Sequence, residues 1–150
     1  MTPTIRRLGP ADLGDMRGLL SLFARVFEEQ GNCPDRQPDD GWLLDLLGQP
    51  GFVAMVAIED ESVVGALTAY ELVKYEQPRR EFYIYDLAVD AACRRRGIAT
   101  ALIARVREIA AERGAWTVFV QADRGDDPAI ALYSGLGRRE DVLHFDFDPG

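Results

Sequence analysis

The chain has one histidine, His144, and only two cysteines, Cys33 and Cys93, in 150 residues. One histidine cannot build a zinc site unaided, and the cysteines lack metal-ligand spacing, so no metal is expected. Both cysteines read as free thiols in polar, exposed segments, as a reducing compartment keeps them. No apolar run approaches the roughly 20 residues that a membrane helix needs. After Arg6 and Arg7, Asp12 and Asp15 interrupt the stretch that a secretory signal would keep apolar. A cytoplasmic protein with no membrane partner is expected. A basic surplus is also missing: the formal net charge is −8. Nucleic-acid binders carry the opposite balance, which argues against DNA and RNA. An acidic chain attracts polycationic ligands through its field, although acidity is common among soluble proteins.

No internal repeat, low-complexity segment or linker divides the chain, and its length suits one domain over residues 1–150. Thr4 to Leu8 reads as a short strand. From Ala11 to Glu29, Leu13, Met16, Leu20, Phe23 and Phe27 recur at helical spacing behind Pro10. Gly31 to Pro38 is a loop. Asp39 or Asp40 then caps a short helix through Trp42, Leu43, Leu46 and Leu47. Phe52 to Ile58 and Val63 to Val73 form a hairpin around Asp60 and Glu61, and Glu81 to Val89 is a third strand of this group. A long helix follows Gly97 and ends at Gly114, with Ile98, Leu102, Ile103, Val106, Ile109 and Ala110 on its apolar face. Trp116 to Gln121 is a strand, Pro128 to Leu136 a helix, and Val142 to Phe147 a last strand. Hairpins first and a β-α-β unit later predict a mixed sheet.

The segment most suited to chemistry is the strand, basic turn, glycine and helix from Asp86 to Thr100. A helix start offers unpaired N–H groups and the positive end of its dipole, both favourable to a phosphate. Gly97 and Ala99 are small enough for a ligand to approach the backbone, and Arg94, Arg95 and Arg96 add positive charge. This composition reads as a pyrophosphate site, or else as a solvated basic turn. It has neither the P-loop lysine nor the full dinucleotide-binding glycine set.

Arg94-x-x-Gly97-x-Ala99, preceded by Leu87-Ala88-Val89, resembles the R/Q-x-x-G-x-G/A signature of the GNAT acetyltransferases. Ala129-Ile130-Ala131-Leu132-Tyr133, followed by Gly135-Leu136-Gly137, resembles the A-x-x-L-Y-x-x-x-G pattern of a later helix in that family. Further stretches resemble the GNAT-type aminoglycoside 3-N-acetyltransferases: Glu76 to Arg79, Tyr83 to Val89, Gln121 to Asp123, Gly125 to Ala129 and His144 to Asp146. The resemblance covers most of the chain from about residue 65 onward. It implies an α/β (α+β) GNAT fold, with a mixed, mostly antiparallel central sheet flanked by helices and strands splayed at the acetyl-CoA site. It also implies acetyl transfer from acetyl-CoA, without a metal, to the 3-amine of the deoxystreptamine ring of a gentamicin-like antibiotic, with resistance as the outcome.

Roles follow by the same resemblance. The Arg94 side chain and the amides of Arg95, Arg96, Gly97, Ile98, Ala99 and Thr100 are expected to hold the pyrophosphate, with Ala129 and Tyr133 also lining the cofactor site. The backbone of Leu87, Ala88 and Val89 is expected at the thioester, where donors aimed at a developing oxyanion contribute about 3–4 kcal/mol. Tyr133 is the candidate acid for the leaving thiolate: a phenol titrates near about 10 and a thiol near about 8.5. Glu81 and Asp126 are candidate bases, the first also readable as a strand-end charge. Asp127, directly before Pro128, also suits a helix N-cap. Tyr83 and Tyr85 share a strand face with Glu81 by period-two spacing and are expected in the acceptor cleft. Glu28, Glu29, Asp123, Asp126, Asp127 and Asp146 are candidate partners for a polycation, or else solvated surface charges.

Three other readings stay open. A GNAT enzyme acting on another amine, such as a polyamine or a protein N-terminus, fits the same acidic residues. A CoA-binding module without turnover would more naturally lack Tyr133. A structural protein has only ordinary composition behind it. A homodimer is expected to use the last strand and the second helix.

Overall fold

The computed structural model describes residues 2–29 and 36–150, so Cys33 lies outside the described residues. Five strands form one sheet in the order β1-β2-β3-β4-β5. They are β1 (Thr4–Arg7), β2 (Phe52–Glu59), β3 (Ser62–Val73), β4 (Arg80–Val89) and β5 (Ala115–Val120). The first three pairings are antiparallel and β4 with β5 is parallel, the mixed sheet that the element order predicts. Helices α1 (Leu13–Glu29), α2 (Asp40–Leu47), α3 (Ile98–Glu112) and α4 (Asp127–Leu136) flank it, with one short 3-10 turn at Ala91–Cys93.

The sheet is covered on both faces, and β2 shows why its sequence is an unbroken apolar run. Val53, Met55 and Ala57 pack toward α3, while Phe52, Ala54 and Val56 pack toward α1 and α2. Alternate residues of a strand point to opposite faces, so both sets must be apolar when both faces are buried. The α3 side is completed by Ile98, Leu102, Val106 and Ile109, and the α1 side by Met16, Leu19, Leu22 and Phe23. Asp60 and Glu61 both adopt positive φ, the left-handed pair that closes a tight hairpin between β2 and β3.

At the far end of β4 from its Leu87–Val89 segment, the Glu71 carboxylate is sealed, with 2% of its side chain exposed, between two arginines. Arg113 Nε donates to it at 3.0 Å. Arg80 Nε lies 2.6 Å away without hydrogen-bond alignment. This ties β3, the start of β4 and the end of α3 together.

Two expectations need correction. Residues 138–150 form no strand: Val142, Leu143, Phe145 and Phe147 are exposed. A strand is held by its neighbour's backbone, and β5, the edge of the sheet, pairs with β4 alone. The short helix α2 runs through Trp42 to Leu47 as expected, with Leu43 and Leu47 buried and Trp42 facing solvent. Cys93 is not exposed but half-buried, packed against the α3 core. Among the described residues no helix is long and apolar enough to cross a membrane, and no group of His, Cys, Asp and Glu could hold a metal ion.

Candidate active site

The parallel pairing of β4 with β5 ends at Ile84 and Val120, yet β4 continues to Val89. Over Tyr85 to Val89 the β5 side of β4 therefore has no strand partner, which is the splay expected there. Backbone groups exposed this way need another partner, such as a ligand. Leu87 and Val89 reach toward α3, while Ala88 is buried toward α1.

Immediately beyond lies the turn into α3. Asp90 caps the 3-10 turn by accepting from Ala92 N–H, and Arg94 Nε donates to the Val89 carbonyl at 3.3 Å. Gly97, the residue ahead of α3, is left-handed at φ +78° and caps the helix with no side-chain hydrogen bond. The first helical bond runs from Ala101 N–H to Gly97 O, so the amides of Ile98, Ala99 and Thr100 have no helical acceptor. A Cβ on Gly97 would meet nothing within 4 Å. Unpaired N–H groups facing open space at a helix start suit an anion such as a phosphate. Arg96 is engaged elsewhere: it donates to Glu59 Oε1 at 3.0 Å and holds that carboxyl below its ordinary range. Its side chain thus braces the turn against the end of β2, while its backbone stays within the turn.

Helix α4 begins with Asp126, whose side chain accepts from Ala129 N–H. The cap is Asp126 and not Asp127, which stands inside the first turn ahead of Pro128. Leu132 and Tyr133 pack against the same core cluster as Leu87, Val89 and α3. Burial, and then the charge of Asp126, raises the Tyr133 phenol above its ordinary value, so it keeps its proton at neutral pH.

The opposite face of β4 carries the other expected residues. The Tyr83 hydroxyl donates to Gln121 Oε1 at 2.6 Å, its ring stacks on Phe119, and Tyr85 meets it edge-on. Tyr70 of β3 packs against Tyr85 in turn. Beside these rings is a cavity of about 180 Å³. Met16, Leu19, Leu20 and Phe23 of α1, Leu46 of α2 and Phe52 of β2 form its apolar wall; Thr68, Tyr70, Tyr85 and Asp86 form the sheet side.

The expected carboxylates do not converge on this cavity. Glu81 is 3.0 Å from Lys74 Nζ. Glu28 is exposed at the end of α1; Glu29 closes that helix, and its side chain lies outside the described atoms. Asp123 and Asp127 are exposed in the β5–α4 loop and the first turn of α4. Asp146 lies in the irregular C-terminal segment, 2.8 Å from His144. Two residues of consequence were given no role from the sequence. Asp86 lines the cavity because of a bulge in β4 that strict alternation hides. Gly65 of β3 lies under α3, where a Cβ would fall 2.7 Å from Ile98 Cγ2.

The sequence pattern of the acetyltransferase (GNAT) family matches residues 16–137. N-acetyltransferase 8B of Rattus norvegicus is 30% identical over 90 residues, which span 60% of this chain and 40% of the rat protein. An aminoglycoside acetyltransferase from an uncultured soil metagenomic sample is 47% identical, with a TM-score of 0.94 and both chains covered in full. Another aminoglycoside acetyltransferase of soil metagenomic origin, solved in complex with sisomicin, is 37% identical, with a TM-score of 0.90 over 98% of this chain and 96% of that one. The family match takes in the splayed end of β4, the turn into α3 and the tyrosine of α4, and this chain belongs to the GNAT family of acetyltransferases.

Proposed function

We propose that this protein transfers the acetyl group of acetyl-CoA to the 3-amine of the deoxystreptamine ring of a gentamicin-like aminoglycoside, and so confers resistance. The observation that carries this reading is the full-length likeness, at 47% identity, to an aminoglycoside acetyltransferase. The sisomicin complex of a second relative and the net charge of −8 support a polycationic acceptor.

Bound acetyl-CoA supplies the reactive thioester. The amides of Ile98 to Thr100, with the backbone of Arg95 to Gly97 and the charge of Arg94, hold its pyrophosphate. Backbone N–H groups of Leu87 and Val89, on the segment of β4 that β5 leaves, donate to the carbonyl oxygen. Tyr133, protonated at neutral pH, gives its proton to the departing sulfur. The tyrosine-lined cavity on the other side of β4 receives the antibiotic, so the amine attacks directly in a ternary complex. A homodimer joined through exposed Leu143, Phe145 and Phe147 and the Trp42 face of α2 completes the reading; light scattering giving only the monomer mass would remove it.

The decisive experiment is thiol release from acetyl-CoA with sisomicin, gentamicin and spermidine in parallel, followed by NMR of the product. Fast release with an aminoglycoside and acetylation at the 3-amine supports the full reading. Acetylation at another amine overturns the position, and release with spermidine alone overturns the substrate class.

A further inference from the structure

The turn into α3 holds an arginine where glycine would be less strained. Arg95 has φ +65°, in the left-handed region, and Gly97 follows at +78°. Left-handed residues in a turn aim successive N–H groups at one point, the geometry that cups an anion. A residue with a Cβ stays left-handed only when its surroundings hold it there. Those around Arg95 do. On one side, Arg94 Nε donates to the Val89 carbonyl. On the other, Arg96 reaches across to Glu59, with Nη1 donating to Oε1 at 3.0 Å and Nη2 to Oε2.

Glu59 is the last residue of β2, and alternation from Met55 and Ala57 sends it to the α3 side. The β2–β3 hairpin stands beside the turn there: Asp90 N–H donates to Val64 O at 2.8 Å, and Ile98 rests over Gly65. The Glu59 side chain keeps only 16% of its exposure. Exposed ion pairs contribute little when both side chains swing freely. A two-pronged arginine–carboxylate pair at the end of a paired strand fixes direction as well as distance. Coulomb's law alone gives Glu59 the wrong sign for a phosphate site, because a carboxylate repels a pyrophosphate. A favourable contribution from Glu59 can therefore pass only through Arg96.

We propose that Glu59 is a positioning residue for the cofactor: by gripping Arg96 it holds Arg95 left-handed, and so sets how firmly the turn binds the pyrophosphate of acetyl-CoA. This rests on the acetyl-transfer reading above, with the turn as its phosphate site. Glu59 acts through Arg96 and takes no part in the chemistry. Its loss lets Arg95 relax to negative φ, which turns an N–H away from the phosphate. The splayed end of β4 and the Tyr133 proton are left as they were. The effect therefore falls on cofactor binding and not on the chemical step.

The test compares wild type, Glu59→Gln, Arg95→Gly and the double variant. Calorimetry reads acetyl-CoA affinity without any amine. Turnover with sisomicin is read on acetyl-CoA and on S-acetylpantetheine, a thioester without the pyrophosphate. Glu59→Gln is expected to weaken acetyl-CoA binding about tenfold and to raise its KM by the same factor. Its kcat, its KM for sisomicin and its rate on S-acetylpantetheine are expected to hold. Glycine adopts positive φ freely, so in the Arg95→Gly background the Glu59→Gln penalty is expected to shrink to about threefold or less. Unchanged or tighter acetyl-CoA binding in Glu59→Gln overturns the proposal. So does an equal fall on both thioesters, which would mark a general loosening of the fold, or a penalty of full size in the Arg95→Gly background. If wild type uses acetyl-CoA no better than S-acetylpantetheine, the turn is not a phosphate site, and both that reading and the role of Glu59 fall. No turnover with sisomicin overturns the aminoglycoside reading alone, and calorimetry then decides the role of Glu59.

Discussion

Ile98 Cγ2 lies only 2.7 Å from where a Cβ on Gly65 would stand, so the first turn of α3 rests on the bare backbone of β3. Ala57 Cβ and Leu102 Cδ1 crowd the same point at 3.3 Å. That seat fixes how far the amides of Ile98 to Thr100 stand from the splayed end of β4. Its absence of a side chain is thus a requirement for seating the start of α3, and with it the proposed phosphate cradle, although Gly65 is remote from the signature motif in sequence.

Two glycine variants separate seat from cradle. Gly65→Ala is expected to cost about 2 kcal/mol by overpacking, about 4–8 °C in Tm, and to weaken acetyl-CoA binding by lifting α3. Gly97→Val has no protein atom to strike, and its left-handed φ adds a strain of about 1–2 kcal/mol. Its larger effect is expected on the ligand, with acetyl-CoA Kd rising about tenfold or more. Calorimetry on both variants checks this; normal affinity in Gly97→Val would remove the phosphate from that turn.

Tyr133→Phe keeps the ring that packs beside Leu132 on the α3 cluster and removes only the hydroxyl. Turnover is expected to fall on the order of 100-fold while acetyl-CoA affinity holds. The phenol is raised, so the wild-type profile should carry no basic limb from Tyr133 below the ordinary tyrosine range. Unchanged kcat would assign sulfur protonation to another donor.

What was legible in the sequence depends on how local the physics is. The α3 face of Ile98, Leu102, Val106 and Ile109 is written at helical spacing, and the Gly97 turn sits directly ahead of it. The aliphatic run from Phe52 to Ile58 announces a strand, and the structure buries it on both faces. The bulge at Tyr85 depends on two residues opposing one on another strand, so alternation alone sends Asp86 to the wrong face. Asp126 and Asp127 offer the same carboxylate to the same helix start, and only backbone geometry decides that Asp126 caps it. Leu143, Phe145 and Phe147 have the period of a strand, but a strand also needs a neighbour, and that neighbour is not encoded in the segment itself.

Glu71→Gln tests the ion cluster at the far end of β4. It removes the charge between Arg80 and Arg113, whose side chains keep 40% and 39% of their exposure. Solvent around the arginines moderates the loss, expected at about 1–2 kcal/mol rather than the full cost of breaking a buried pair. Thermal unfolding should register it, and acetyl-CoA affinity should not change, because the cradle lies at the other end of the strand.

The pH dependence of stability offers a view of Asp86 that is independent of turnover. Burial raises its folded-state pKa, so the folded protein holds the proton more tightly than the unfolded chain does. For a carboxyl shifted in that direction, the stabilising contribution is full below the unfolded pKa. It is lost as pH rises through the folded one. Asp86→Asn carries a neutral group of the same shape at every pH. The variant is therefore expected to melt higher than wild type at neutral pH, with the gap closing as pH falls below the ordinary aspartate range. Tm measured across that window, without any substrate, decides it. A gap that is absent at neutral pH, or that widens toward acid, would mean the Asp86 carboxylate is satisfied in the folded protein.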